Sequence, residues 1–165
     1  EVIEKLNIPV VTAWNAHDVL WDAHPLFVGR PSTVGTRGGN FAVENADLVL
    51  TLGCRLNIRQ ISYNYKDWAK KAFKIVVDID KNELNKPTIF PDMKVHADVK
   101  DLLQELLKAD VSVENEEHKK WLEFCRATNE KYPKSRINKG FSGILLFFYS
   151  IVIAVLKITF GVNLG

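Results

Sequence analysis

The sequence is short of cysteine, of clustered histidine and of segregated charge, and each shortage removes a class of function. Only Cys54 and Cys125 occur in 165 residues, with no CxxC pair. Two thiols cannot build the disulfide framework of a small secreted domain or a four-cysteine zinc site. The cysteine usage therefore predicts a reduced, cytoplasmic compartment. His17, His24, His96 and His118 show no metal-ligand spacing, and His96-Ala97-Asp98 alone is a poor ligand set. The 22 basic and 20 acidic residues are interspersed, which argues against the one-sided basic face of a nucleic-acid binder. No signal-peptide pattern opens the chain. It begins without methionine, in what reads as the last turns of a helix, and this predicts a fragment.

Apolar residues make up 47% of the chain, enough for one domain with a real core. The organising stretch runs from Gly29 to Arg59, GRPSTVGTRGGNFAVENADLVLTLGCRLNIR. Gly35, Gly38 and Gly39 precede Asn40 to Ala46, which has helical composition. Glycines at a helix N-terminus expose backbone N–H groups to an anion such as a phosphate. The alternative is a tight helix entry with no ligand. Leu48 to Leu52 is an apolar run of strand length, closed by Gly53-Cys54-Arg55. Open α/β sheets bind ligands at that carboxyl end.

The remaining chain alternates in the same way. Glu1 to Leu6 reads as a helix, with Val2, Ile3 and Leu6 inward and Asn7 as its C-cap. Ile8 to Thr12 is a short buried strand, and Asp22 to Phe27 an exposed loop. Ile61 to Phe73 is an aromatic-rich turn and short helix, in which Tyr63, Tyr65 and Trp68 serve packing or an interdomain surface rather than cofactor stacking. Lys74 to Asp80 and Lys94 to Ala97 are strands. Asp80 is placed to cap a helical turn over Lys81 to Leu84, which Pro87 stops. Asp98 is placed to cap a helix over Val99 to Lys108, with Leu102, Leu103, Leu106 and Leu107 at core spacing. Glu114 to Lys131 is amphipathic, with Trp121, Phe124 and Cys125 inward. Four strands alternating with helices predict a doubly wound parallel sheet.

GTRGGNFAVENADLVLTLGCRLNIRQ resembles the central domain of thiamine-diphosphate-dependent enzymes of the acetolactate synthase type. The likeness runs from about Glu1 to Pro133, through WNAHD, HPLFVGRP, VVDID and VHADVKDLL. It implies an α/β, Rossmann-like sheet flanked by helices, lacking its first strand. It also implies a FAD or ADP site drawing on Gly35, Thr36, Arg37 and Gly38 in the glycine loop. Gly53, Cys54, Arg55 and Arg59 would add the next strand end, and Asp78, Ile79 and Asp98 the two after it. In this resemblance the position of Asp78 accepts the adenosine ribose. Asp98 lies near the adenine, or else is only a helix cap.

In such enzymes thiamine diphosphate is activated by a glutamate on the first domain. The third domain holds the diphosphate and Mg²⁺ through a GDG…N motif. No GDG occurs here, so the chain is expected to bind neither and to be inactive alone. Its partners would be the flanking thiamine-diphosphate domains, in a homodimer or homotetramer. The whole enzyme would be a 2-keto acid decarboxylase or carboligase. The competing reading is a non-catalytic nucleotide or interaction module with an empty cleft. A sirtuin-type module is disfavoured, because two cysteines cannot supply its zinc insert.

The resemblance fails across residues 134–165. Phe141 to Leu156 carries no charge, but a spanning helix needs about 20 apolar residues. Three readings stay open: sequence read past a frameshift or truncation, a membrane anchor behind Lys134, Arg136 and Lys139, or a buried helix.

Overall fold

A computed structural model describes residues 1–111, 113, 116–132 and 152–156. The chain opens with helix α1 (Val2–Leu6), whose C-cap Asn7 is left-handed at φ 50°. Asparagine tolerates that conformation through its short polar side chain. Strands β1 (Val10–Thr12) and β2 (Phe27–Gly29) are wholly buried. Helix α2 (Arg37–Glu44) leads to β3 (Leu48–Leu52), then α3 (Ile58–Ile61) and β4 (Phe73–Asp78). Helix α4 (Lys81–Asn85), β5 (Met93–His96), α5 (Val99–Lys108) and α6 (Glu116–Lys131) follow. The last described element is β6 (Val152–Leu156).

The sheet order is β2-β1-β6-β3-β4-β5. Pairings β1–β2, β3–β4 and β4–β5 are parallel, which confirms the doubly wound reading. The exception is β6, which runs antiparallel to both β1 and β3. Ala154 stands opposite Val10 on one side and Leu50 on the other. With β6 in the place of strand one, the order matches the 3-2-1-4-5-6 sequence of dinucleotide folds. The slot at the topological switch point is therefore filled, but by a strand of the opposite direction. Part of the tail is thus sheet. Neither a buried helix nor a spanning helix holds at residues 152–156, and the rest of the tail lies outside the described residues. Among the described residues no helix is long and apolar enough to cross a membrane.

Strand periodicity sorts the core to two faces. Val11, Val28, Val49 and Val76 join Ala42 and Val43 of α2 and Trp121 and Cys125 of α6. Their neighbours Val10 and Phe27 join Leu6, Ile8 and Leu20, with Leu48 and Leu50 packed against them. His118, buried in α6, lies 2.7 Å through Nε2 from the Asn7 carbonyl. Lys5 closes the end of α5, donating to the carbonyls of Leu107 at 2.7 Å and Ala109 at 2.6 Å.

Several expectations need correction. Phe27 belongs to a strand, so among the described residues five strands run parallel rather than four. Helix α2 begins at Arg37, which places Gly38 and Gly39 inside its first turn. The α5 leucines reach only the half-buried margin, and Leu107 is exposed. Phe124 is 46% exposed, stacked on Trp121 at 5.4 Å rather than inserted beside it.

Candidate functional site

The site is the carboxyl edge of β3, β4 and β5. Adjacent parallel strands end there together, so groups distant in sequence meet. Main-chain bonds stitch the edge: Gly53 N–H donates to Val77 O at 2.8 Å, and Ala97 N–H to Asp78 O at 3.2 Å.

Beyond β3 the chain turns sharply. Gly53 has φ 56° and Leu56 φ 43°. The left-handed region is free for glycine but strained for leucine. Cys54, between them, is buried, and burial pushes its thiol up to about 11. It is a packed small residue rather than a nucleophile. The side chain of Arg55 is 71% exposed, yet it is held by Glu83 of α4. Arg55 Nε lies 2.7 Å and Nη2 2.5 Å from Glu83 Oε1. Glu83 Oε2 takes Lys86 Nζ at 2.9 Å, and Lys86 donates back to the Arg55 carbonyl. Burial opposes ionisation of Glu83, but hydrogen bonds from Lys86 and Arg55 outweigh it and hold the carboxyl below its usual value. Asn57 caps α3, accepting from the N–H of Arg59 at 3.0 Å.

At the end of β4, Asp78 is buried at 6% exposure, and its Oδ1 accepts from Asp80 N–H at 2.9 Å. Asp80 caps α4 through Asn82 N–H at 2.8 Å, as its position predicted. Ile79 projects outward, while its carbonyl lies 2.9 Å from His96 Nε2. Asp98 caps α5, accepting from Lys100 N–H at 2.8 Å.

The glycine loop attaches to this edge through Thr33, whose N–H donates to the Arg59 carbonyl at 3.1 Å. Within the loop, space left by missing side chains is filled by protein. A Cβ on Gly35 would stand 2.1 Å from Arg30 O, one on Gly39 2.8 Å from Arg30 N, and one on Gly38 3.1 Å from Asn129. Thr36 is the N-cap of α2, accepting from Gly39 N–H at 3.2 Å and from Arg30 N–H at 3.0 Å. The Arg37 guanidinium lies over the Tyr132 ring, 5.4 Å from its centroid. Of the residues picked from sequence, Gly53, Arg55 and Asp78 therefore share one edge, while Arg37 engages the end of α6.

Sequence reading missed Glu83 and Lys86. Their i, i+3 spacing on a helix was a visible signal for a pair, but nothing local pointed to Arg55, 28 residues away. Of the aromatics placed in packing or an interdomain surface, Trp68 joins the core, Tyr65 packs against it half-buried, and Tyr63 is exposed. Tyr65 and Trp68 line a cavity of about 220 Å³ with Leu56, Lys74 and Phe90. Among the described residues, no three acidic, histidine or cysteine side chains come together as a metal site.

Comparisons with known proteins show the family. Residues 1–106 match the family described as thiamine pyrophosphate enzyme, central domain. The probable acetolactate synthase large subunit of Methanocaldococcus jannaschii is 32% identical over 120 residues, covering 73% of this chain and 20% of that protein. The acetolactate synthase isozyme 1 large subunit of Escherichia coli is 32% identical over 133 residues, 81% of this chain and 23% of its own length. The acetolactate synthase large subunit of Cyanidium caldarium is 30% identical over 139 residues, 82% of this chain and 23% of its own. The chain thus spans about a fifth of the length of these relatives.

Proposed function

This chain belongs to the central-domain family of thiamine pyrophosphate enzymes, and from that premise we propose that it is the nucleotide-binding and scaffolding domain of an acetolactate synthase-like enzyme. The whole enzyme decarboxylates a 2-keto acid and transfers or releases the resulting aldehyde-level unit. Thiamine diphosphate supplies the electron sink for that chemistry, and it is held by domains that this one bridges. The central domain itself receives FAD or ADP at the carboxyl edge of β3 and β4.

One observation carries the reading. The turn at Gly53 and the carboxylate of Asp78 end adjacent parallel strands, with Val77 bonded to Gly53 between them. Gly53 leaves room for a ligand, Arg55 supplies a cation for phosphate, and Asp78 supplies an acceptor for ribose hydroxyls. Asp98 lies one strand further, at the end of β5. The donor and acceptor set suits the diphosphate and ribose of an adenine nucleotide. In the glycine loop, Thr36 and Gly35 hold the backbone, and Arg37 and Gly38 open α2 apart from this edge.

Calorimetric titration of ADP and of FAD tests the assignment. A hydrogen bond to a charged group contributes about 1.5–3 kcal/mol, so Asp78→Ala is expected to weaken binding roughly ten- to a hundredfold. Asp80→Ala removes a cap and is expected to lower stability by about 1 kcal/mol while leaving affinity unchanged. Equal affinity of wild type and Asp78→Ala would remove the ribose assignment. No heat at millimolar ADP or FAD would leave the domain as scaffold alone.

A further inference from the structure

Arg55 presents a contradiction. Its side chain is 71% exposed, yet its donors on one flank are fixed on a carboxylate whose own exposure is 14%. Exposed arginines ordinarily sample many rotamers, and ordering one costs side-chain entropy. Here that cost is met within the protein. The bonds close a ring: Arg55 guanidinium to Glu83, Glu83 to Lys86, and Lys86 back to the Arg55 and Leu56 carbonyls. The anchors come from α4, from its C-cap Lys86 and from the turn after β3. The ring therefore fixes both the guanidinium and the left-handed turn that carries it.

We propose that Glu83 is a positioning residue for the nucleotide site, holding Arg55 over the carboxyl edge so that its unengaged N–H donors meet a phosphate group already oriented. The inference rests on the cleft assigned above and adds how its cation is set. Arginine carries five donors in a rigid fork, and Glu83 takes only Nε–H and one from Nη2. Within the ring two cations share one anion, and Asp78 and Asp80 also act on Arg55, so what the guanidinium offers a phosphate is directed N–H donors rather than a surplus of charge. Lys86 shares the carboxylate, so Glu83 does not cancel the arginine alone. Preorganisation of this kind improves affinity by removing the ordering cost from the binding step.

The experiment uses the full chain and ADP as the probe. Arg55→Ala and Glu83→Gln are each expected to weaken ADP about tenfold, and the double variant is expected to be no weaker than Arg55→Ala alone. That coupling is not produced by a general loss of stability, which would add to the arginine effect. A spectroscopic measurement on the unaltered chain guards against a variant that folds poorly. The Arg55 Nε–H signal should exchange with water more slowly than that of Arg59, whose side chain meets no carboxylate among the described residues. Additive losses, unchanged binding in Glu83→Gln, or equal exchange of the two arginine signals would overturn the proposal while the cleft stands. Tighter ADP binding in Glu83→Gln would make Glu83 a competitor and overturn it likewise. Failure of the wild type to bind ADP would remove cleft and positioning role together.

Discussion

At the scale of single residues, position decides which of several similar groups is engaged. Asp78, Asp80 and Asp98 all follow strands, and composition alone cannot rank them. The structure separates them by burial and partner: Asp80 and Asp98 cap helices, and Asp78 is enclosed at the strand end. Cys54 is shut away and its thiol raised to about 11 by burial. Since the thiolate is the reactive form, the native chain at neutral pH should label with a thiol reagent no faster than it unfolds, and rapid native labelling of Cys54 would contradict the burial. Glu83 gives a pH signature. Its folded value lies below the usual 4.5, so its contribution is present above 4.5 and is lost as pH falls through the lower folded value. The thermal midpoint of wild type should therefore exceed that of Glu83→Gln near neutrality, with the gap closing in acid. A gap that stays constant down to the acid transition would show that the carboxylate is not paired in solution.

At the scale of elements, the glycine-rich segment is a packing device as well as a candidate binding loop. Gly29 ends β2 at φ 120°, where a Cβ would stand 2.2 Å from Thr36 Oγ1 and 2.9 Å from Gly39 N. The same threonine oxygen caps α2 and accepts from Arg30. Gly29→Ala should therefore cost more than about 1 kcal/mol, since the native conformation suits neither alanine's backbone nor its volume. Chemical denaturation reads this directly, and a neutral alanine there would mean that the β2–α2 junction is looser than its geometry. Strand and helix identities were largely legible, because the apolar runs and the caps are local signals. β2 was not. Its three residues lie beside the loop that was read as exposed, and only pairing with β1 makes them a strand.

At the scale of the whole molecule, the sheet has two parallel halves, β2-β1 and β3-β4-β5, joined through β6. A proline in β6 removes a ladder donor in the middle of the sheet, where proline is poorly tolerated. Ala154→Pro, opposite both Val10 and Leu50, is expected to lower the thermal midpoint by at least about 5 °C. Ending the chain after residue 133 should cost cooperative unfolding, because both halves lose their common neighbour. An unchanged transition in either variant would show that the halves are held together by the helices instead. This reverses the expectation for a tail foreign to the fold, which truncation would leave indifferent. Residues 134–165 gave no local sign of sheet order, since an uncharged apolar run suits strand, helix or membrane equally.

The sequence by itself determined the α/β class, the parallel alternation, the capping aspartates and the family, because each is written in short-range periodicity or in an ordered set of motifs. Tertiary structure alone decided three things. It placed β6 in the central slot, set Glu83 and Lys86 against Arg55, and brought Gly53 beside Asp78. Each of these depends on which strands become neighbours, and that is settled by burial of both sheet faces at once rather than by any local stretch.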